Sequence, residues 1–270
     1  MAQFFQALIS FFMSILMALG LIAKPADPQP EMKMTKVCTV AAIENLHTLE
    51  GGCTDGRYIY QTLIDPDAEK NDLPTPGRLV KIDVATMRTV MTSDVLYVDH
   101  ANDITYNSKT KELIISNNIP NYTRLTFVDP ETLTVKGSKD ITSSVYSVVY
   151  VGSGDFYYAG ISKTFNVVEM DADFNVKDSF GMNEAQKVDG IVRQTLETDG
   201  QYIYSVFYKP NSVYKYNVDG EFIGKCTLPI AENEAENIFF IGDSIYVSYN
   251  ILGAANGGEI YKLENPVFEK

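Results

Sequence analysis

The sequence predicts an all-β fold, a β-propeller of about five four-stranded blades, and three observations lead to this prediction. Strand-like runs rich in Tyr, Phe, Val, Ile and Thr fill the chain after residue 35. Turn residues separate these runs at short intervals. A Tyr-rich hairpin then recurs at a spacing of about 40–45 residues, which is the period of propeller blades. Six blades is the alternative count.

The recurring hairpin is clearest in two segments of nearly identical sequence. Thr54–Tyr60 reads TDGRYIY, and Thr198–Tyr204 reads TDGQYIY. Weaker copies occur at Tyr106–Ile115, Val151–Tyr158 and Ile241–Tyr246. Asp-Gly and Asn-Ser turns tolerate positive φ and match the twist of the flanking strands. Two further strand-like runs follow each hairpin, so each repeat is expected to contain four strands.

The last repeat lacks a fourth strand. Its third strand is Glu259–Leu263, and little sequence follows it. Lys36–Ile43 has the pattern of a strand and belongs to no other repeat. We expect this segment to pair with Glu259–Leu263 and close the ring, because closure leaves fewer exposed strand edges.

An apolar leader precedes the predicted domain. Phe4–Ala23 contains no charged residue and is long enough to cross a bilayer as a helix. No Lys or Arg precedes it, so a cleaved signal peptide and an uncleaved membrane anchor both remain open. The chain therefore divides into a leader at 1–23, a Pro-containing linker at 24–35 and a propeller at 36–270. We interpret the protein as extracytoplasmic, either secreted or anchored by residues 4–23.

Composition excludes several kinds of site. The formal net charge of −13 disfavours binding to the phosphate backbone of nucleic acids. Cys38, Cys53 and Cys226 form no Cys-x-x-Cys pair and allow at most one disulfide. With only two histidines in the chain, a His-rich metal site is also excluded. No cofactor is predicted, and Ca²⁺ or another divalent cation is the alternative.

A functional site is expected at the central channel. The first strand of each propeller blade lines the channel, and ligands bind where its loops meet. The polar residues at these positions are Glu50, His100, Asn102, Asp103, Arg193, Gln194, Glu236 and Asn237. Tyr146 and Ser147 occupy the corresponding positions of the third repeat.

These candidates support two interpretations. Strand alternation places His100 and Asn102 on one side and Asp103 on the other. In the functional interpretation His100 is a base or a metal ligand, and Asn102 with Glu50 or Glu236 completes the site. In the structural one, Asn102 and Asp103 bond to neighbouring backbone groups and hold the blades together. Arg193 either binds a carboxylate or pairs with Glu50 or Glu236.

The DG-x-Y-I-Y hairpins and the turns at Asp83, Asp129 and Asp171 resemble those of bacterial extracytoplasmic propellers. That group includes NHL, SMP-30/lactonase-like and glutamine-cyclotransferase-like proteins. The resemblance covers roughly residues 37–268 and rests on the rhythm of the repeats. It implies a propeller fold, with five blades in the cyclotransferase-like proteins and a metal held by Glu, Asn and Asp in the lactonase-like ones. The cyclotransferase-like proteins are typically rich in Trp near the site, whereas this chain has no Trp.

The expected function is that of an exported binding module, because a clear scaffold is present without a strong catalytic constellation. The ligand class is open between a small molecule, a glycan and a protein. The protein is expected to be a monomer that contacts a membrane only through its N-terminal segment. The alternative is an enzyme with its site in the channel, a lactonase-like hydrolase, a lyase or a cyclotransferase. No catalytic residue is assigned.

Overall fold

Five antiparallel sheets form the blades of a propeller in a computed structural model of the chain. The structure describes residues 31–70, 75–253 and 257–270. The leader at 1–23, with its predicted apolar helix, and the linker as far as residue 30 lie outside the described residues. Within the part of the chain that is described, no helix is both long enough and apolar enough to cross a membrane.

Each blade is built from four consecutive strands, except that the last takes its fourth strand from the start of the domain, and blade 1 carries one further short strand. Blade 1 consists of β2 (Thr48–Thr54), β3 (Tyr58–Ile64), β4 (Pro76–Asp83) and β5 (Arg88–Thr92), with the short β6 (Leu96–Tyr97) paired to β4. Blade 2 consists of β7 (Asp103–Asn107), β8 (Glu112–Ser116), β9 (Arg124–Val128) and β10 (Val135–Asp140). Blade 3 consists of β11 (Val145–Val151), β12 (Phe156–Ile161), β13 (Asn166–Met170) and β14 (Val176–Gly181). Blade 4 consists of β15 (Val192–Thr198), β16 (Tyr202–Tyr208), β17 (Ser212–Asn217) and β18 (Phe222–Thr227). Blade 5 consists of β19 (Glu234–Ile241), β20 (Ser244–Asn250), β21 (Gly258–Glu264) and β1 (Lys33–Val40). Two short helices lie between strands, α1 (Pro66–Lys70) and α2 (Asn183–Gln186).

The innermost strands form a closed ring. Each innermost strand contacts the next around the ring: β2 contacts β7, β7 contacts β11, β11 contacts β15, β15 contacts β19, and β19 contacts β2. The count of five blades is therefore confirmed, and the alternative of six is wrong.

The two Asp-Gly hairpins have matching hydrogen bonds, which explains why their sequences match. Asp55 Oδ1 accepts the N–H groups of the second and third residues after it, at 2.8 and 2.6 Å, and Oδ2 accepts the Tyr60 hydroxyl at 2.9 Å. Asp199 accepts the same two N–H groups at 2.9 and 2.7 Å and the Tyr204 hydroxyl at 2.7 Å. Gly56 has a φ of 89°, a conformation that a residue with a side chain rarely adopts.

The ring is closed by β1, as the sequence predicts. This strand runs antiparallel to β21, with Lys33 opposite Glu264 and Val40 opposite Gly258. It begins three residues before the predicted start at Lys36 and ends at Val40 instead of Ile43. The early start was not predicted because Lys33 and Thr35, the alternate residues at the beginning of the strand, are polar and face solvent.

The core consists of five apolar layers between neighbouring blades. Each layer combines side chains from two adjacent sheets, such as Tyr60 of blade 1 with Ile104 of blade 2. The three cysteines are buried and free, and they lie in different layers. No pair of them forms the disulfide that the sequence allowed.

Candidate functional site

A cavity of about 370 Å³ opens at one mouth of the central channel, where the innermost strands begin. Six of the eight predicted site residues line it, and these are Glu50, His100, Asn102, Arg193, Gln194 and Glu236. Residues from all five blades contribute to the lining, so the cavity exists only when the ring is assembled.

β-Bulges aim side chains into this mouth. The pairing register of four of the five innermost strands shifts at one level, around Glu50, Tyr146, Gln194 and Glu236. All four residues line the cavity. A bulge turns a side chain away from its place in the ladder, and bulges are common beside binding sites. The repeated bulges therefore build the site from an otherwise regular sheet pattern.

Three carboxyl groups form an acidic wall contributed by blades 1 and 5. Glu50 and Glu236 are only 5% and 4% exposed, and Glu234 lies two residues before Glu236 on the same strand. Burial raises the pKa of Glu236 well above its usual range, and the carboxylates of Glu50 and Glu234 raise it further. Burial also raises the pKa of Glu234, although a hydrogen bond of 2.8 Å from the Gln194 amide opposes this shift.

Glu236 and Glu234 lie two residues apart on β19, and the Glu234 carboxylate raises the pKa of Glu236. Two neighbouring carboxyl groups of this kind lose their protons at different pH values, so one can carry a proton while the other is ionised. Such a pair suits both the transfer and the acceptance of a proton at the cavity wall.

His100 lies beside the acidic wall. Its Nε2 atom is 3.3 Å from Glu50 Oε2, and its side chain is 22% exposed. An imidazole held by a carboxylate has one ring nitrogen fixed as a hydrogen-bond donor. The arrangement brings a second kind of titratable group to the same cavity.

A row of amides crosses the cavity. The Asn102 amide donates to the Gln194 backbone carbonyl at 2.6 Å, and the Asn118 amide donates to Asn102 Oδ1 at 3.0 Å. Because Asn102 belongs to blade 2 and Gln194 to blade 4, the first bond spans the channel. Asn102 therefore both lines the cavity and ties blades together.

Asp103 and Asn237, the other two predicted residues, are not among the cavity-lining residues. Asp103 accepts hydrogen bonds from the Ser147 hydroxyl, from the Val148 N–H at 3.2 Å and from the Asn237 amide at 3.4 Å. Burial raises the pKa of Asp103 well above its usual range. These contacts join blades 2, 3 and 5, two of them through side chains and one through a backbone N–H.

A basic and aromatic wall comes from blades 3 and 4. The Arg193 guanidinium donates to the Thr164 carbonyl, and its Cζ lies 4.9 Å from the Phe165 ring centroid and 5.7 Å from that of Tyr146. Lys163 Nζ lies 4.7 Å from the centroid of the Tyr122 ring. The cavity therefore carries charges of both signs on different walls.

Sequence reasoning missed half of the lining. The missed residues are Glu234, Asn118, Ile119, Tyr122, Ser162, Lys163 and Val192. Several of them lie in the loops between the second and third strands of blades 2 and 3. In an antiparallel hairpin the end of the second strand meets the start of the first, so these loops reach the same mouth. This geometric rule would have found them.

A smaller cavity of about 190 Å³ lies at the other end of the innermost strands. Its lining includes Glu197, Cys53 and Phe240. Burial raises the pKa of Glu197 to about 8, opposed by a hydrogen bond from the Thr198 N–H at 2.7 Å. Burial also raises the pKa of the Cys53 thiol well above its usual value, so Cys53 stays protonated and is a poor nucleophile.

Metal binding is not indicated by clustering of the usual ligands. Across residues 31–70, 75–253 and 257–270, no group of three or more His, Cys, Asp or Glu side chains could hold a metal ion.

No protein-family model matches the chain, and no curated protein matches its sequence. Solved structures do match its fold. The crystal structure of Myxococcus xanthus glutaminyl cyclase is similar with a TM-score of 0.62 at 11% identity, covering 87% of this chain and 97% of that one. The chain is a five-bladed β-propeller.

A second similar structure is the β-propeller domain of Myceliophteria thermophila Cps50 (Swd1). Its TM-score is 0.49 at 11% identity, and the match covers 85% of this chain and 99% of that domain. At such identities the likeness concerns the fold alone, so the function has to be argued from the residues of the channel mouth.

Proposed function

We propose that this propeller is a binding module whose channel mouth holds a small molecule through an amino group. The observation that carries the proposal is the convergence of Glu50, Glu234 and Glu236 on one cavity. Neighbouring carboxylates repel one another, and a cation bound between them would relieve this repulsion. An ammonium group offers three N–H donors and a positive charge, and it would form short charge-assisted hydrogen bonds with this wall.

The size of the cavity favours a small molecule among the ligand classes that the sequence left open. Its volume of about 370 Å³ lies at the lower end of the range of small-molecule pockets, roughly 300–1,000 Å³. Exposed Ile119 and Val192 at the mouth add apolar surface beside the polar walls.

The proposal is tested by calorimetric titration of the full-length protein with a panel of L-amino acid amides, which carry an amino group and no carboxylate. At least one amide is expected to bind, and its N-acetyl derivative is expected to bind at least about tenfold more weakly, because acetylation removes the charge. Glu236→Gln should weaken binding of the amide by a similar factor. Glu44→Gln, which changes an exposed residue, serves as the matched control. Binding of no amide, or equal binding of the acetylated form, would contradict the proposal.

An enzymatic function is a second candidate, and the neighbouring carboxyl groups of Glu234 and Glu236 favour it. Of the alternatives open from the sequence, a cyclotransferase suits this pair best, and one of the structures with a similar fold is that of a glutaminyl cyclase. In that chemistry the amino nitrogen of glutamine bonds to its own side-chain carbonyl carbon and the carbon–nitrogen bond of the amide breaks. The attacking amine loses a proton, and the leaving group gains one and departs as ammonia. A carboxylate beside a protonated carboxyl group could serve both transfers.

Release of ammonia from a glutaminyl peptide separates the two candidates. Steady release by the full-length protein, lost in Glu236→Gln and kept in Glu44→Gln, would establish the enzyme. Binding of amides without any release of ammonia would leave the binding module as the function. The hydrolase and lyase alternatives have no comparable support in the cavity.

Export of the protein remains part of the proposal and rests on the apolar run at residues 4–23. We expect the propeller to lie outside the cytoplasm, secreted or anchored by that run. Fractionation of producing cells tests this, since recovery of the whole protein in the cytosolic fraction would contradict it.

A further inference from the structure

The wall of the cavity formed by blades 3 and 4 carries a buried hydroxyl without a partner. Ser162 is 8% exposed and lines the cavity, yet its Oγ has no hydrogen-bond partner among the residues that the structure describes. A buried donor left unpaired is costly and is rare in folded proteins. A ligand atom that accepts its hydrogen bond would remove this cost.

Arg193 is held rigidly on the same wall. Its guanidinium packs against the rings of Phe165 and Tyr146, and one of its N–H groups donates to the Thr164 carbonyl. A guanidinium has five N–H donors, so several remain for another acceptor. Because these contacts already fix its orientation, little side-chain freedom would be lost on binding an anion.

Lys163 adds a second positive charge next to Ser162 in the chain. Its ammonium lies over the Tyr122 ring, and both residues line the cavity. The two cations and the unpaired hydroxyl thus share one cavity with the three carboxyl groups of blades 1 and 5. Two ionic groups of opposite sign on one small molecule would match this distribution of charge.

We propose that Arg193, Lys163 and Ser162 form a carboxylate subsite, so that the ligand of the channel mouth is a small zwitterion, a free amino acid. This inference rests on the proposed binding of an amino group by the acidic wall. The amino group would face Glu50 and Glu236, and the carboxylate would accept hydrogen bonds from Arg193 and Ser162. The subsite distinguishes a free amino acid from an amino acid whose carboxyl group is blocked.

The test compares three forms of each of the twenty common amino acids: the free acid, its C-terminal amide and its N-acetyl derivative. Thermal melting of the full-length protein finds the residue types that bind, and calorimetry then measures their dissociation constants. The free acid is expected to bind at least about tenfold more tightly than its amide. In Arg193→Gln this preference should fall to about twofold or less, while binding of the amide changes little.

Two further variants keep the result interpretable. Arg88→Gln changes an exposed arginine on the outer strand of blade 1 and should retain the full preference. If Arg193→Gln fails to fold, Lys163→Gln replaces it, and there the free acid should lose about threefold or more in affinity relative to the amide.

Failure of this inference differs from failure of the proposed function. Equal binding of acid and amide would overturn the carboxylate subsite and leave the amino-group site standing. Equal binding of the free acid and its N-acetyl derivative would overturn the amino-group site. Binding of none of the three forms, for any residue type, would overturn both.

Discussion

At the bulge of β19, the side chain of Glu236 turns out of the strand ladder and enters the channel mouth beside Glu50 and Glu234. The same residue on a regular exposed strand would be an ordinary solvated carboxylate. Burial and two neighbouring carboxyl groups raise its pKa well above its usual range instead. The chemistry of the site thus depends on where the bulge places each side chain.

Glu197, at the other mouth of the channel, makes stability depend on pH. Its folded pKa of about 8 lies above the usual value of 4.5, so the folded state binds the proton more tightly than the unfolded chain. The resulting stabilisation is fully present below about pH 4.5 and is lost as the pH rises towards 8. Glu197→Gln has no carboxyl group to titrate at this position and should not show this loss. Its free energy of unfolding relative to that of the wild type should therefore rise by on the order of 1–3 kcal/mol between pH 4.5 and pH 8.5.

Urea unfolding of both proteins at the two pH values measures this effect, with Glu44→Gln as the control. Parallel changes in the unfolding midpoints of wild type and Glu197→Gln would show that Glu197 titrates normally.

Asp103 ties blades 2, 3 and 5 together through Ser147, Val148 and Asn237. Asp103→Ala leaves buried donors unpaired and should lower the free energy of unfolding by about 2–4 kcal/mol. Asp103→Asn keeps one acceptor oxygen and should cost less. Urea unfolding distinguishes these outcomes, and an alanine variant as stable as the wild type would remove the structural role from Asp103.

The individual residues of the site were only partly predictable from the sequence. Glu50 and Glu236 could be placed because the innermost strands follow from the repeats. Ser162 and Lys163 could not be placed by aligning innermost strands alone, since they belong to a loop after a second strand. The contact between Asn102 and Gln194 joins residues 92 positions apart, and no local pattern encodes it.

At the level of elements, β1 is the strand on which the ring depends. It pairs along its length with β21, and it buries Cys38 and Val40 in the apolar layer between blades 5 and 1. Deleting residues 1–40 would expose the edge of β21 and wet that layer. Each buried apolar side chain contributes about 1.5–3 kcal/mol, so the melting temperature should fall by at least about 10 °C.

Deleting residues 1–30 is the matched control, because it leaves β1 complete and should preserve the melting temperature. The two truncated proteins are compared by circular dichroism. Equal melting temperatures would mean that β1 is dispensable and that the ring is held closed in another way.

The hairpins were predictable because an Asp-Gly turn and the Tyr-rich strand after it form a local pattern. The bulges were not, since a bulge is defined by a partner strand and leaves no clear mark in the sequence. The C-terminal segment gives a second example. Glu269 exchanges backbone hydrogen bonds with Lys225 at 2.7 and 3.0 Å and so adds to the edge of β18. A pairing that involves a single residue leaves no periodic pattern in the sequence from which it could be predicted.

For the whole molecule, the ring brings together groups that no single blade contains. Blades 1 and 5 supply carboxyl groups, blades 3 and 4 supply cations and an unpaired hydroxyl, and blade 2 supplies His100 and Asn102. The formal net charge of −13 therefore does not predict the charge of the cavity lining, which contains both acidic and basic side chains. We expect the bound molecule to lie across the channel mouth with its amino group and its carboxylate on different walls.

A crystal structure of the full-length protein with the free amino acid that gives the largest rise in melting temperature tests this central claim most directly. We predict density for the amino acid in the cavity of about 370 Å³, with its nitrogen at hydrogen-bond distance from Glu50 or Glu236 and its carboxylate on Arg193. Density for the amino acid elsewhere on the protein, with only water in the channel mouth, would contradict it.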